Sequence, residues 1–64
     1  MDFLERLKAE FSELDEKHSK LTDFLSNEDN RQKTGDYQWG LLTGQLSAME
    51  VYKYLLSSRL EDLS

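Results

Sequence analysis

Apolar residues recur at helical spacing along the first part of the chain. Steps of three and four residues connect seven positions in turn: Leu4, Leu7, Phe11, Leu14, His18, Leu21 and Leu25. Charged residues predominate on the other face, which is typical of an amphipathic helix packed along one seam. The pattern predicts a first helix from about residue 3 to residue 26, with Asp2 as its N-cap.

The second part of the chain carries two neighbouring apolar stripes. The inner stripe, interrupted by Lys53, contains Leu42, Leu46, Met49, Leu56, Leu60 and Leu63. The outer stripe contains Leu41, Ala48, Tyr52 and Leu55. We predict a second helix from about residue 37 to residue 61, with Asp36 as its N-cap. Its apolar face is wider than a single partner helix covers.

The segment between the two helical patterns, residues 27–36, is polar and ends in Thr-Gly-Asp, which predicts a loop. Two long helices joined by such a loop favour an all-α fold, a two-helix antiparallel hairpin formed by residues 1–64 as one domain. One hairpin leaves the outer stripe uncovered. We therefore expect the hairpins to assemble into a homo-oligomer, at least a dimer.

Composition narrows the classes of function. The 64 residues include no cysteine and one histidine, which excludes disulfides and argues against a thiolate or histidine-rich metal site. The formal net charge of −5 argues against a long nucleic-acid partner, and no apolar run is long enough to span a membrane. The carboxylates are spread over exposed helix faces, so we expect no enzyme activity, no metal and no cofactor.

Gly40 and Gly44 lie four residues apart within the second helix. Each glycine disfavours a helix by roughly 1 kcal/mol relative to alanine. Such a pair allows another backbone, or a ligand, to approach closely. Alternatively, the two glycines only weaken the start of the helix, and the sequence alone leaves both interpretations open.

Two lysines of the first helix, Lys17 and Lys20, flank His18 and form a candidate positive patch. The residues alone favour the alternative that the two lysines pair with Glu13 and Glu16, one turn earlier, as ordinary surface residues. Thr22 follows Lys20 by two residues, where its hydroxyl can serve a ligand. Phe3 lies off the apolar seam near the chain start, where an aromatic ring either stacks on a base or packs against the helix end.

Two segments resemble a known family. They are ELDEKHSKLTDFL (13–25) and LLTGQLSAMEVYKYLLSSRL (41–60). They are similar to the small bacteriophage sponges, helical hairpins that sequester the cyclic oligonucleotide signals of bacterial immunity. The resemblance is carried by Glu13, Leu14, Lys20, Leu21, Phe24, Leu41, Leu42, Gln45, Leu46, Ala48, Met49, Tyr52, Leu55 and Arg59. The run LLxxQLxAMxxY, with its polar Gln45, is its most specific part.

The resemblance implies compact homo-hexamers that bind cyclic dinucleotides and, in some members, cyclic trinucleotides at separate sites between protomers. The ligand is held and not cleaved. Such a protein deprives the effector of a cyclic-oligonucleotide defence system (CBASS) of its signal, in the cytoplasm of the infected bacterial host.

The resemblance also implies particular contacts. Lys20 and Thr22 match a ligand-binding lysine and threonine of the family, and Phe3 is the candidate for an aromatic residue that stacks on a base. The remaining members of the candidate ligand-binding set are Lys17 of the lysine patch and three expected trinucleotide contacts, Thr43, Gln45 and Arg59.

Two other functions stay open. One is a helical protein-interaction module that binds a host protein, which has no need of the Lys20–Thr22 pair together with an N-terminal aromatic. The other is a sponge for a cyclic ADP-ribose-type signal of the Thoeris system. Competition between ligands separates the two kinds of sponge.

Overall fold

A computed structural model describes residues 2–64, which form three helices and no strand. Helix α1 spans Phe3–Leu25, α2 spans Glu28–Thr34 and α3 spans Asp36–Leu63. The all-α prediction is confirmed, and the two long helices occupy the predicted stretches. The two-helix hairpin is wrong in one respect, because the predicted loop at 27–36 contains the short helix α2.

Local capping explains why the polar α2 segment is helical. The Asn27 side chain accepts a hydrogen bond from the backbone N–H of Asp29 at 3.0 Å, and Glu28 adds negative charge to the first turn. The Asn30 amide donates to the Phe24 carbonyl oxygen at 2.9 Å, which ties α2 to the end of α1. Helix α2 has no apolar periodicity, so the sequence pattern did not predict it.

The two predicted N-caps have opposite outcomes. Asp2 caps α1 as expected, and its Oδ1 accepts from the Glu5 backbone N–H at 2.7 Å. The Asp36 prediction is wrong because Gly35 takes the N-cap position of α3, with φ +90° and ψ 153°. That backbone conformation is essentially restricted to glycine. Asp36 is the first residue of α3, and its carboxylate accepts from Arg31 Nε at 3.1 Å.

The core forms where the seam of α1 meets the inner stripe of α3. Leu7, Leu14 and Leu56 are buried, and Leu56 is only 1% exposed. The half-buried side chains that pack against this cluster are Phe11, Met49 and Leu60. The predicted seam and inner stripe therefore meet each other, and the neighbouring outer stripe of α3 stays exposed beside this contact.

Polar pairs join α1 and α3 beside this core. Asp15 Oδ1 lies 2.6 Å from Lys53 Nζ, and His18 Nε2 lies 3.4 Å from Glu50 Oε1. As the position rises along α1 it falls along α3, so the two helices are antiparallel. The hydrogen bond and the positive charge of Lys53 hold the pKa of the Asp15 carboxyl below its ordinary value.

The helices form a single layer. The Cα atoms extend over 44 × 17 × 14 Å, about the width of two helices lying side by side. The outer-stripe residues Leu41, Tyr52 and Leu55 are exposed. A Cβ atom placed on Gly40 or Gly44 would meet nothing within 4 Å. A single chain thus leaves the wide apolar face of α3 uncovered, and homo-oligomerisation stays a prediction.

Candidate functional site

A cleft of about 270 Å³ opens where the start of α1 meets the end of α3. It is lined by Phe3, Arg6, Leu7, Glu10 and Arg59. Small-molecule sites usually enclose roughly 300–1,000 Å³. The cleft is slightly smaller than that range, so its size suits one ring system with an attached polar group rather than a whole oligonucleotide.

Helical spacing places the α1 side of the cleft on one face. Phe3, Arg6 and Glu10 follow one another at steps of three and four residues, which is the spacing of neighbours on a helix surface. Leu7 lies between them and belongs to the buried core, so the face is anchored directly to the packed interior. The helical geometry of α1 therefore determines how these side chains are arranged relative to one another.

The antiparallel arrangement supplies the other side of the cleft. It brings Arg59, close to the end of α3, beside Phe3 at the start of α1. The guanidinium carbon of Arg59 lies 5.9 Å from the centroid of the Phe3 ring, within the range of a cation–π interaction. The Phe3 side chain nevertheless remains 55% exposed, which leaves aromatic surface available for stacking.

The two arginines of the cleft have no acidic partner. Within residues 2–64, no carboxylate oxygen lies within 4 Å of a guanidinium nitrogen of Arg6 or Arg59. By contrast, Lys20, Arg31 and Lys53 all pair with acids. Guanidinium groups bind carboxylate and phosphate through planar, paired hydrogen bonds. In a chain of net charge −5, the cleft therefore brings together two guanidinium groups that have no acidic partner.

The cleft also contains one carboxylate, that of Glu10. Its Oε2 accepts a hydrogen bond from the hydroxyl of Tyr52, which reaches across from α3. Arg6 precedes Glu10 by four residues, a spacing at which helix ion pairs commonly form. The carboxylate is instead directed to Tyr52, and the Arg6 guanidinium forms no ion pair with it.

The predicted ligand-binding residues fall into two groups. Phe3 and Arg59 come together in the cleft. Lys20 is far from them, since the stretch of α1 from Phe3 to Lys20 is about 25 Å long at roughly 1.5 Å per residue. Lys20 Nζ pairs with Glu16 at 3.1 Å. The Thr22 hydroxyl donates to a backbone carbonyl of its own helix, one turn earlier, at 2.8 Å.

The remaining predicted residues also lie outside the cleft. The Thr43 hydroxyl donates to the Trp39 carbonyl oxygen at 2.9 Å, while Lys17 and Gln45 are exposed. The ring of Trp39 lies 6.2 Å from that of Phe24, where the start of α3 meets the end of α1. These residues therefore belong to the middle and the opposite end of the helix pair. In one chain they do not share a site with the cleft.

Sequence reasoning missed Arg6 and Glu10. The signal that identifies them is their helical spacing from Phe3, which places all three on one face of α1. The same spacing is typical of a surface ion pair, and the sequence alone does not show that Arg6 and Glu10 fail to pair with each other.

The fold and the cleft define a small all-helical protein with room for one ring-sized group at the end of its helix pair. Residues 2–64 contain no group of histidine, cysteine or acidic side chains that can hold a metal ion. Over the same range, none of the helices has the length and apolar character needed to cross a membrane.

The chain belongs to the Sequestin family, whose model matches residues 1–62. The name of the family denotes sequestration, which is consistent with a protein that holds a ligand or partner. Neither the curated proteins nor the solved structures give a match.

Proposed function

We propose that the protein is a phage anti-defence sponge. It binds cyclic dinucleotides without cleaving them, and it thereby withholds the signal from a CBASS effector in the infected bacterium; cyclic trinucleotides are a second ligand class to be tested. Membership of the Sequestin family and the resemblance of residues 13–25 and 41–60 to phage sponges support this proposal. The observation that carries it is the cleft, where two unpaired guanidinium groups flank an exposed phenyl ring.

The chemistry of the ligand complements the cleft. A cyclic dinucleotide carries flat bases and phosphodiesters close together. Phe3 offers a stacking surface for a base, and base–aromatic stacking typically contributes about 1–3 kcal/mol. Arg6 and Arg59 offer charged hydrogen-bond donors for a phosphate. Binding alone removes the signal from solution, so the function requires no catalytic step.

The size of the cleft implies that more than one chain takes part. A volume of about 270 Å³ suits one nucleotide unit, whereas a cyclic dinucleotide presents two units related by near two-fold symmetry. Two clefts facing each other across a two-fold axis match that symmetry. Lys20 and Thr22 of both chains then lie far from this ligand along α1, so they can approach it only from a further chain of the assembly.

The uncovered face of α3 is the surface through which we propose that chains associate. It carries exposed Leu41, Val51, Tyr52 and Leu55. Exposed apolar patches of this kind mark interaction surfaces. A homo-hexamer is the assembly that the resemblance implies, and packing several α3 helices together would cover the outer stripe of each.

Isothermal titration of the purified protein tests the proposal. The ligands are a cyclic dinucleotide panel, a cyclic triadenylate and cyclic ADP-ribose. We expect nanomolar binding of cyclic oligonucleotides, and we expect chromatography to recover the ligand unmodified after the protein is denatured. Strong binding of cyclic ADP-ribose alone would instead favour a sponge of the Thoeris type. No heat with any ligand would overturn the proposal and favour the protein-interaction module.

Three charge-removing variants locate the site. Arg6→Ala and Arg59→Ala are each expected to weaken binding about 10- to 100-fold, because a hydrogen bond to a charged group contributes roughly 1.5–3 kcal/mol. Lys8→Ala removes the same charge from an exposed position of α1 that does not line the cleft, and it should leave the affinity unchanged. Equal affinities for all three variants would contradict the assignment of the cleft.

A further inference from the structure

The exposed face of α3 carries no charge over most of its length. Between residues 37 and 58, the charged residues of α3 are Glu50 and Lys53, and both reach α1, where they meet His18 and Asp15. This stretch is about 33 Å long at 1.5 Å per residue. A third of the residues in the chain are charged, so the absence of charge from this face sets it apart from the remaining surface.

The residues of this face recur at heptad spacing. Alternating steps of four and three connect a set that we call the outer heptad: Tyr37, Leu41, Gly44, Ala48, Val51, Leu55 and Ser58. All of them are exposed in a single chain. A sustained repeat of this kind is typical of a helix that packs lengthwise against another helix.

Side-chain size is unevenly distributed along the outer heptad. Gly44 and Ala48 are small, whereas Val51 and Leu55 are large. In a parallel pair of identical helices each residue faces its own copy, so two small–small layers would adjoin two large–large layers. Well-packed interfaces instead place large residues against small ones across facing positions.

We propose that α3 packs against α3 of a second copy of the chain in antiparallel orientation, with Gly44 facing Leu55 and Ala48 facing Val51 of the second chain. The two-fold axis repeats both contacts, so each of these layers combines one small and one large side chain. This inference rests on the association through α3 that the proposed function includes, but it does not depend on the ligand.

The same size argument fixes the register. In the proposed pair Leu41 faces Ser58 of the second chain, which is another large–small layer. A shift of one heptad would place Gly44 against Ala48 and Leu41 against Val51. That arrangement leaves a void beside a crowded layer, and both defects are destabilising.

The residues beside the outer heptad are compatible with this register. Facing positions on its two sides bring Gln45 beside Tyr52 and Ser47 beside Tyr54 of the second chain. Tyr54 is 70% exposed in a single chain, and this contact would cover it. Neither pair contains a charge, so no like charges meet along the middle of the contact.

The ends of the contact avoid like charges as well. Arg59 comes beside Gln38 of the second chain, and Glu61 comes beside Gly40. The cleft of each chain therefore lies at the same end of the pair as the start of α3 of the second chain. The two clefts are at opposite ends, so clefts that face each other belong to a different two-fold contact, which an assembly of three such pairs can provide.

Engineered disulfides test the register directly, because the chain contains no cysteine. A disulfide needs Cα atoms within about 7 Å of each other. Gly44→Cys and Leu55→Cys are prepared separately, mixed in equal amounts while unfolded, refolded together and oxidised. We expect a cross-linked dimer on non-reducing gels that contains up to about half of the chains, since random mixing places both variants in half of the two-fold pairs.

Each variant oxidised alone reports the orientation. In the proposed register the two copies of position 44, like those of position 55, are about 17 Å apart along the helices, so neither variant alone should form the dimer. Cross-linking of each variant alone would mean a parallel pair, and no cross-link after mixing would mean a different register or partner. Either result overturns the inference.

Ser57→Cys is the matched control for Leu55→Cys. Residue 57 is also exposed near the end of α3 but lies off the outer heptad, so its mixture with Gly44→Cys should remain monomeric on the gel. Equally efficient cross-linking through position 57 would show that the disulfides trap random collisions, which would contradict the register.

A size swap provides a second test that needs no disulfide. Gly44→Leu places two leucines in one layer and should weaken self-association about tenfold or more in sedimentation equilibrium. Leucine favours a helix more than glycine does, so this loss would not reflect loss of α3. Adding Leu55→Ala to the same chain restores a large–small layer and should recover most of the association. Failure of this rescue would overturn the register.

Ligand binding is measured on the same preparations by isothermal titration with cyclic oligonucleotides. Binding without the mixed cross-link would overturn the antiparallel register and leave the proposed function standing. The mixed cross-link without ligand binding would support the register and remove the sponge, so the two failures are distinguishable.

Discussion

Lys53 interrupts the apolar inner stripe of α3, and its partner explains why a charged residue occupies that position. Its ammonium lies 2.6 Å from Asp15 Oδ1, and the side chain is only 24% exposed. The long alkyl stem of a lysine packs along apolar surface while the charged head remains accessible to water. One turn away, His18 makes a similar approach to Glu50 at 3.4 Å. At the residue scale, these pairs fix which part of α1 lies against which part of α3.

The Asp15–Lys53 pair makes a pH-dependent contribution to stability. The pKa of Asp15 is lower in the folded protein than in the unfolded chain, so folding favours the ionised carboxylate. The contribution is present above the ordinary aspartate pKa of about 3.9 and is lost as the pH falls through the folded value. We expect Asp15→Asn to melt at a lower temperature than the unmodified protein at pH 7, with the difference closing below about pH 4.

Thermal melts of the two proteins between pH 2.5 and pH 7 check this expectation. Asp23→Asn is the matched control, since it makes the same change at an exposed position of α1 that forms no ion pair within residues 2–64. A difference between Asp15→Asn and the unmodified protein that stayed constant with pH would mean that the ionisation of Asp15 plays no part.

The cleft shows which features of a site can be predicted from the sequence and which cannot. Phe3 and Arg59 were both predicted to bind ligand, but in different roles, because the sequence does not state the register between two helices. Once Asp15 is paired with Lys53, that register follows, and it places Arg59 beside Phe3. Tertiary packing, which the sequence pattern does not specify, brings distant residues into one site.

At the scale of the elements, apolar periodicity predicted α1 and α3 to within two residues at each end. It failed for α2, because a short polar helix is defined by its caps and by its contacts with neighbouring helices. It also misplaced the start of α3 by one residue. Gly35 adopts φ +90° there, whereas the sequence indicated Asp36 as the more usual capping side chain. The backbone conformation of Gly35 is what makes Gly35, and not Asp36, the N-cap of α3.

Substitution by alanine should change the stability of the fold in opposite directions at Gly35 and at Gly44. Gly35→Ala forces an L-residue into a conformation that is essentially restricted to glycine, and it should destabilise the fold by about 1–3 kcal/mol. Gly44 is helical, and a Cβ atom there meets nothing within 4 Å. In a single chain, before assembly covers this face, Gly44→Ala should therefore stabilise the helix by roughly 1 kcal/mol.

Urea denaturation followed by circular dichroism measures both changes against the unmodified protein. Gly40→Ala serves as a second open-face substitution and should behave as Gly44→Ala does. A loss of stability in both open-face variants would contradict the expectation. It would indicate that another chain packs closely against this face, which is one of the two interpretations that the sequence left open.

At the scale of the whole molecule, the single layer of helices gives α3 two faces with different environments. Leu56 lies on the inner face and is 1% exposed, whereas its neighbour Leu55 lies on the outer face and is 52% exposed. A small domain with so much uncovered apolar surface is marginally stable alone. Covering that face with further copies of the chain would add the burial that one hairpin lacks.

Adjacent leucines allow folding and assembly to be separated. Leu56→Ala removes core packing and should destabilise the protein by about 2–5 kcal/mol at every protein concentration. Leu55→Glu leaves the inner core intact but places a charge on the face proposed for assembly. We expect it to reduce the sedimentation coefficient to that of a single chain.

Denaturation midpoints measured over a hundredfold range of protein concentration complete the comparison. The stability of an assembled protein depends on its concentration, and that of a single chain does not. The unmodified protein and Leu56→Ala should therefore show a concentration-dependent midpoint, and Leu55→Glu should not. If the unmodified protein sedimented as a monomer with a constant midpoint, the outer face of α3 would not be an interface between copies. A ligand that needs two clefts would then have no binding site.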